Sequence, residues 1–158
     1  MNHLKSALFI VLISLSGIAL KAQEITNPKG LYDPRQHGYS HVATVPASST
    51  IVYIAGQAGT DEKGNLSEDF RTQVRFAFEN LAIALKSKGL GMKNIAKLTT
   101  LVVGYGPEKH KIMIEESHKV WPDEKYPVNT LIPVQALALD HMQIEIDATA
   151  VTAKKISQ

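Results

Sequence analysis

The chain has 158 residues, 44% of them hydrophobic and 20% charged, with a formal net charge of +2, which suits one domain with its own core. It has no cysteine, so disulfides are excluded and stability must come from packing, extended by subunit contacts. The basic residues include only three arginines, Arg35, Arg71 and Arg75, and this charge balance makes no electrostatic case for a nucleic-acid partner.

The first residues read as an address. One lysine and no acid precede an apolar run from Ala7 to Leu20, and Ala22 offers a small residue before Gln23. That is the pattern of a secretory signal peptide over residues 1–22. The run is short for a membrane span, which needs about 20 apolar residues; a retained N-terminal anchor is the alternative. Cleavage near Ala22 takes 22 residues from 158 and leaves 136, and losing Lys5 and Lys21 from the 17 basic residues leaves 15 against 15 acidic. The expected product is exported, periplasmic or secreted, with no membrane attachment after cleavage.

Residues 23–38 form an N-terminal arm, polar and rich in Pro and Gly up to residue 36, and expected to be loosely held. Residues 39–45 (YSHVATV) read as a first strand and 51–57 (IVYIAGQ) as a second, rich in β-branched and aromatic side chains. Turn residues fill 59–66. Ser67 is the expected N-cap of a helix whose apolar face recurs at Phe70, Val74, Ala77, Phe78, Leu81, Ala84 and Leu85 and which Gly89 ends. Residues 95–103 read as a third strand, and Pro107 starts a second helix that runs to about Trp121, where Pro122 stops it. Residues 128–137 read as extended, with Pro133 pointing to an edge or a bulge. Residues 142–152 alternate, with Ile144, Ile146, Ala148 and Ala150 on one side and Glu145, Asp147 and Thr149 on the other. The order β-β-α-β-α-β-β predicts an α+β domain, a single mixed sheet with two helices on one face. The other face, rich in Thr and Ala, is expected to meet further subunits.

Few residues announce chemistry by type and spacing. Glu145 can orient a water or accept a proton if partly desolvated, or it can be a solvated or ion-paired strand carboxylate. His37 and His41 lack the further ligands that a zinc site needs. His110 and His118 are expected on the surface of the second helix and His141 in a loop. GQAGTDEKG lacks the Gly-Lys-[Ser/Thr] ending of a phosphate loop, and no Gly-x-Ser-x-Gly elbow supports a serine hydrolase. Trp121 and Tyr126 read as packing residues. No cofactor and no metal are expected.

Several segments resemble one family. They are YSHVATV, VYIAGQAGTDEKGNL, the QVRFAFENLAIALKSKGL stretch from Gln73 to Leu90, KLTTLVV, YPVNT and IEIDATAV. Together, from about Tyr39 to Val151, they resemble the RidA/YjgF (reactive intermediate deaminase, Rid) family, so residues 39–153 are taken as a Rid-like domain and 154–158 as a C-terminal tail. The resemblance implies a chorismate-mutase-like fold and a homotrimer whose sheets form a central barrel, with ligand clefts between subunits. It implies hydrolysis of 2-imino or 2-enamino acids to 2-keto acids and ammonia, without metal or organic cofactor. It also implies roles for particular residues. Tyr39 matches the family's cleft tyrosine, Ala55 and Gly56 the small pair whose backbone lines the pocket, and Glu145 the acid that positions the attacking water. The match places His41 near the cleft, within hydrogen-bond reach of a ligand. Asn129, Thr130 and Leu131 fall in the segment P-x-R-[ST] and the position after it.

Asn129 departs from that pattern. Deaminases of the family carry arginine there, which can grip a substrate carboxylate with two charge-assisted hydrogen bonds. A neutral amide in its place is expected to cost about 2–4 kcal/mol, or roughly 30- to 1,000-fold in affinity for an anion. Three readings follow. One is an exported Rid-like protein that binds a small neutral or weakly polar metabolite between subunits, with or without 2-iminobutanoate/2-iminopropanoate deaminase-type hydrolysis. Another is a non-catalytic trimeric binding or protein-protecting module. RNA cleavage, the third, is opposed by export, neutral charge and scarce arginine.

Overall fold

A computed structural model describes residues 23–153. The expected signal peptide and C-terminal tail lie outside the described residues.

The alternation at the end of the chain organises the fold. β6 (Ile144–Thr152) sends Ile144, Ile146, Ala148 and Ala150 into the core and leaves Glu145, Asp147 and Thr149 on the other face. β6 lies between β3 (Thr50–Ala58) and β4 (Ile95–Val103), antiparallel to both. β5 (Val128–Val134) runs parallel to β4 at the opposite edge, so the sheet order is β3-β6-β4-β5. The parallel pair needs a crossover, which α2 (Pro107–Val120) supplies. Directly paired residues share a face, so the register carries the two sides of β6 across the sheet. Leu98 and Thr100 of β4 pair with Ala148 and Ile146, and on their other side with Asn129 and Leu131 of β5. All six lie on the helix side. Thr99 and Leu101, paired with Asp147 and Glu145, lie on the helix-free side.

α1 (Phe70–Lys86) covers β3 and β6 through Val74, Ala77, Phe78, Leu81 and Leu85, all buried and spaced three or four apart. Two polar residues of the same helix are structural. Gln73 is fully buried, and its Nε2 donates to the carbonyls of Ser67 (2.6 Å) and His141 (2.9 Å) while its Oε1 accepts from the Gln143 amide (2.8 Å). Asn80 donates to the carbonyls of Ala58 and Thr60 and so fixes the end of β3. α1 and α2 are tied by Arg71, which bonds Glu115 (2.7 Å) and the buried Glu116 (2.8 Å).

Four expectations need correction. The arm is anchored: β1 (Glu24–Thr26) pairs antiparallel with β2 (Val42–Thr44), and Gln23 Nε2 donates to the Ile95 carbonyl at 2.8 Å. β2 is therefore not a strand of the main sheet; its approach meets it only where Ser40 bridges Val128, the Ser40 amide donating to the Pro127 carbonyl at 3.1 Å. The N-cap of α1 is Asp69, whose carboxylate accepts from the Thr72 amide at 2.8 Å, because the helix begins two residues later than expected; Ser67 Oγ accepts from the Asp69 amide instead. β5 ends at Val134 rather than 137. It is an edge strand, as Pro133 suggested, because the missing N–H would break a ladder in the sheet interior.

Candidate functional site

Where the approach to β2 crosses α2 and the start of β5, the protein has an open cavity of about 430 Å³. Tyr39, Asn129, Thr130 and Leu131 line it. Asn129 sits at the edge strand on the helix side, and the buried Thr100 of β4 donates its hydroxyl to Asn129 Oδ1 at 3.1 Å. That bond uses the acceptor end of the amide and leaves the two Nδ2 hydrogens for another partner. The Tyr39 hydroxyl is hydrogen-bonded to the Tyr32 hydroxyl. Burial, then this bond, pushes the Tyr39 phenol up to about 12, so at neutral pH it is a hydroxyl. His41 does not line the cavity. It packs edge-on against Tyr32 and Tyr39, and its Nε2 lies 3.0 Å from the Tyr32 carbonyl oxygen.

Glu145, Ala55 and Gly56 lie elsewhere. The pairing of β3 with β6 shifts between Ile54 and Gln57, so Ala55 and Gly56 bulge opposite Asp147. The Glu145 side chain lies over this bulge, where a Cβ on Gly56 would overlap its carboxylate. Glu145 is on the helix-free side, two strand spacings or about 10 Å from β5. Within one chain the acid and Asn129 are thus separated by the thickness of the sheet as well as by its width.

The cavity also brings in residues that sequence reasoning left out: Tyr32, His37, Tyr105, His110 and Ser117. Two histidines expected on the surface are half-buried. His110 lines the cavity with its ring 5.5 Å from that of His37, and His118 Nδ1 is hydrogen-bonded to the hydroxyl of the buried Tyr126. No spacing signal could have found these residues, since the arm, the turn before α2 and α2 itself each contribute separately. No group of three or more potential metal ligands occurs among the described residues, and no described helix is long and apolar enough to cross a membrane.

A four-stranded mixed sheet with both helices on one face and a cavity at its parallel edge defines a class, the α+β proteins of the Rid/YjgF fold. The sequence pattern of the family described as endoribonuclease L-PSP matches residues 33–152, and the chain belongs to this family, the RidA/YjgF group of proteins. It is 28% identical over 113 residues to the RutC family protein YjgH of Escherichia coli (strain K12), covering 72% of this chain and 83% of that one. The structure of a Rid family protein of unknown function, YyfB from Yersinia pestis, superposes with a TM-score of 0.78 at 28% identity, covering 84% of this chain and all of that one (100%). The structure of RidA from Psychrobacter sp. PAMC 21119 matches in fold, with a TM-score of 0.59 at 22% identity, covering 74% of this chain and 95% of that one. Membership supports a small-molecule-binding or deaminase-like role.

Proposed function

We propose that this protein is an exported Rid protein that binds a small uncharged metabolite, in a site completed where two copies of the chain meet. The carrying observation is the lining of the cavity: tyrosine, histidine, serine, threonine and asparagine with apolar walls, and no lysine or arginine. Asn129 offers amide hydrogens to a carbonyl or similar acceptor, and Leu131 with Met113 gives an apolar wall. A carboxylate entering this cavity gives up its hydration and meets no lysine or arginine in the lining, which is unfavourable for a buried charge.

Assembly is part of the reading. β3 and β5 are the two edges of the sheet, about three strand spacings or 14 Å apart. The Gly56–Glu145 bulge and the Asn129 cavity can adjoin only if the β3 side of one copy meets the β5 side of the next. A closed ring does this, and the trimer that the family resemblance implies is such a ring. Exposed apolar side chains on the helix-free side, among them Ile51, Tyr53 (77% exposed) and Ile132, give that ring an interior to bury.

In the complete site Glu145 would hold a water against a C=N carbon. The water oxygen would bond to that carbon and a proton would pass to nitrogen; collapse of the adduct would then release ammonia and leave a carbonyl. A lining without lysine or arginine favours neutral imines or a purely binding role over 2-imino acids. The test is ammonia release from freshly generated 2-iminopropanoate. Release close to the protein-free rate is expected, together with saturable binding of a neutral planar amide such as benzamide. Rapid release that Glu145→Ala abolishes would overturn the reading. Export is tested by N-terminal sequencing of the native protein, where Gln23 as first residue is expected and Met1 would refute cleavage.

A further inference from the structure

The cavity contains two histidines whose ring nitrogens have no assigned task. His37 closes the 3-10 turn Arg35–His37. The next residue, Gly38, turns the chain at a φ of +72°, and a Cβ there would come within 3.2 Å of Ser117 Cβ on α2. Glycine at this point therefore lets the turn approach the helix and brings His37 against His110, whose ring centroid lies 5.5 Å away with the planes tilted by 38°. His41 and His118 each spend a ring nitrogen on a protein partner. Among the described residues no hydrogen bond or ion pair takes up a ring nitrogen of His37 or His110.

We propose that below neutral pH His37 and His110 add to this cavity an anion-binding subsite that accepts the carboxylate of a small planar acid and takes up a proton as it does so. The inference rests on reading the cavity as the ligand site. Histidine is the side chain that changes charge between pH 5 and 8. Two imidazolium rings at this spacing repel each other. An anion between them removes the repulsion and favours the charged form of both. By linkage, a ligand that favours protonation binds more tightly as pH falls, and its binding draws protons from solution. The pair thus restores under acid conditions the cation that Asn129 does not supply.

No lysine, arginine or carboxylate lines the cavity beside the two rings. Tyr32 lies edge-on to His37 and Tyr105 lies beside His110, and burial pushes the Tyr105 phenol up. The Tyr39 hydroxyl titrates near pH 12. From α2, Met113, Ile114 and Ser117 face the cavity, and from β5 Asn129, Thr130 and Leu131. Of the charged neighbours, Asp33 is engaged with Arg35 (2.6 Å). Lys109 donates to the Val103 carbonyl at 2.6 Å, Lys111 reaches Glu115 at 3.9 Å, and Glu108 lies outside the cavity lining.

The experiment is calorimetric titration of the purified protein with benzoate and, in parallel, with its uncharged analogue benzamide, from about pH 7.5 to about pH 6. Benzoate affinity should rise by up to about tenfold per pH unit, with uptake of about one proton measured in buffers of different ionisation enthalpy. Benzamide affinity should stay level. In His37→Gln and His110→Gln, checked for folding by circular dichroism, the pH slope for benzoate should flatten. Were a variant not to fold, proton uptake by the wild-type protein would still decide. A benzoate affinity independent of pH, or a slope that survives both substitutions, overturns the subsite. Benzamide binding in that case leaves the cavity reading intact, whereas failure of both probes at every pH overturns the two together.

Discussion

The cavity beside β5 and the bulge of β3 belong to one sheet and differ in almost every material respect. The cavity lies on the helix side, is walled by residues from four separate segments, and contains hydroxyl and amide donors and two imidazoles. The bulge lies on the helix-free side and has one carboxylate, Glu145, laid over a glycine. The cavity offers hydrogen-bond donors and apolar walls but no carboxylate, and the bulge presents a carboxylate on the opposite face. On the proposed reading the two make one site only between copies of the chain, so the function turns on how copies meet.

The largest expected effect tests whether the strand that presents Glu145 depends on a single buried amide. Gln73→Leu leaves the Ser67 and His141 carbonyls and the Gln143 amide without their partner and should lower stability by about 3–5 kcal/mol. Urea unfolding measures it, and a loss under about 1 kcal/mol would mean that the entry to β6 is held otherwise. Next, Asn129→Arg should raise benzoate affinity at neutral pH by about 30- to 1,000-fold, the reverse of the estimated 2–4 kcal/mol penalty. No gain would show that the side chain at this position does not reach the ligand, and the contrast between the two regions would lose its chemical half.

A smaller effect sharpens the description of the bulge. Gly56→Ala should cost about 1 kcal/mol in the wild-type chain, because its methyl displaces the Glu145 carboxylate. In a Glu145→Ala background the same change should cost little, a coupling that a double-mutant cycle reads directly. The last effect is spectroscopic. Tyr39 has a folded pKa of about 12, above its usual 10.0. Its contribution to stability is therefore present below pH 10 and lost as pH rises towards 12. Alkaline titration of phenolate absorbance should show a late step that Tyr39→Phe removes.

Much of this molecule was legible along the chain. The alternation of β6, the apolar stripe of α1 and Pro107 at the first position of α2 each express a local rule, and each element formed, α1 with its cap two residues later than expected. Errors arose where a local rule met a distant partner. The Pro- and Gly-rich arm looked loose because nothing within it predicts that Glu24–Thr26 will pair with Val42–Thr44. His110 looked exposed because helical spacing does not reveal what packs across from it.

Sequence alone therefore determined the element types, the two-sided character of β6 and the neutral residue at 129, since these depend on side-chain chemistry and on periods of two and 3.6 residues. Tertiary structure alone decided that Asn129 and Glu145 fall on opposite faces, that Thr100 orients the Asn129 amide, and that His37 meets His110. Those outcomes depend on strand order and register, which follow from contacts between residues tens of positions apart and have no signature in any short stretch of chain.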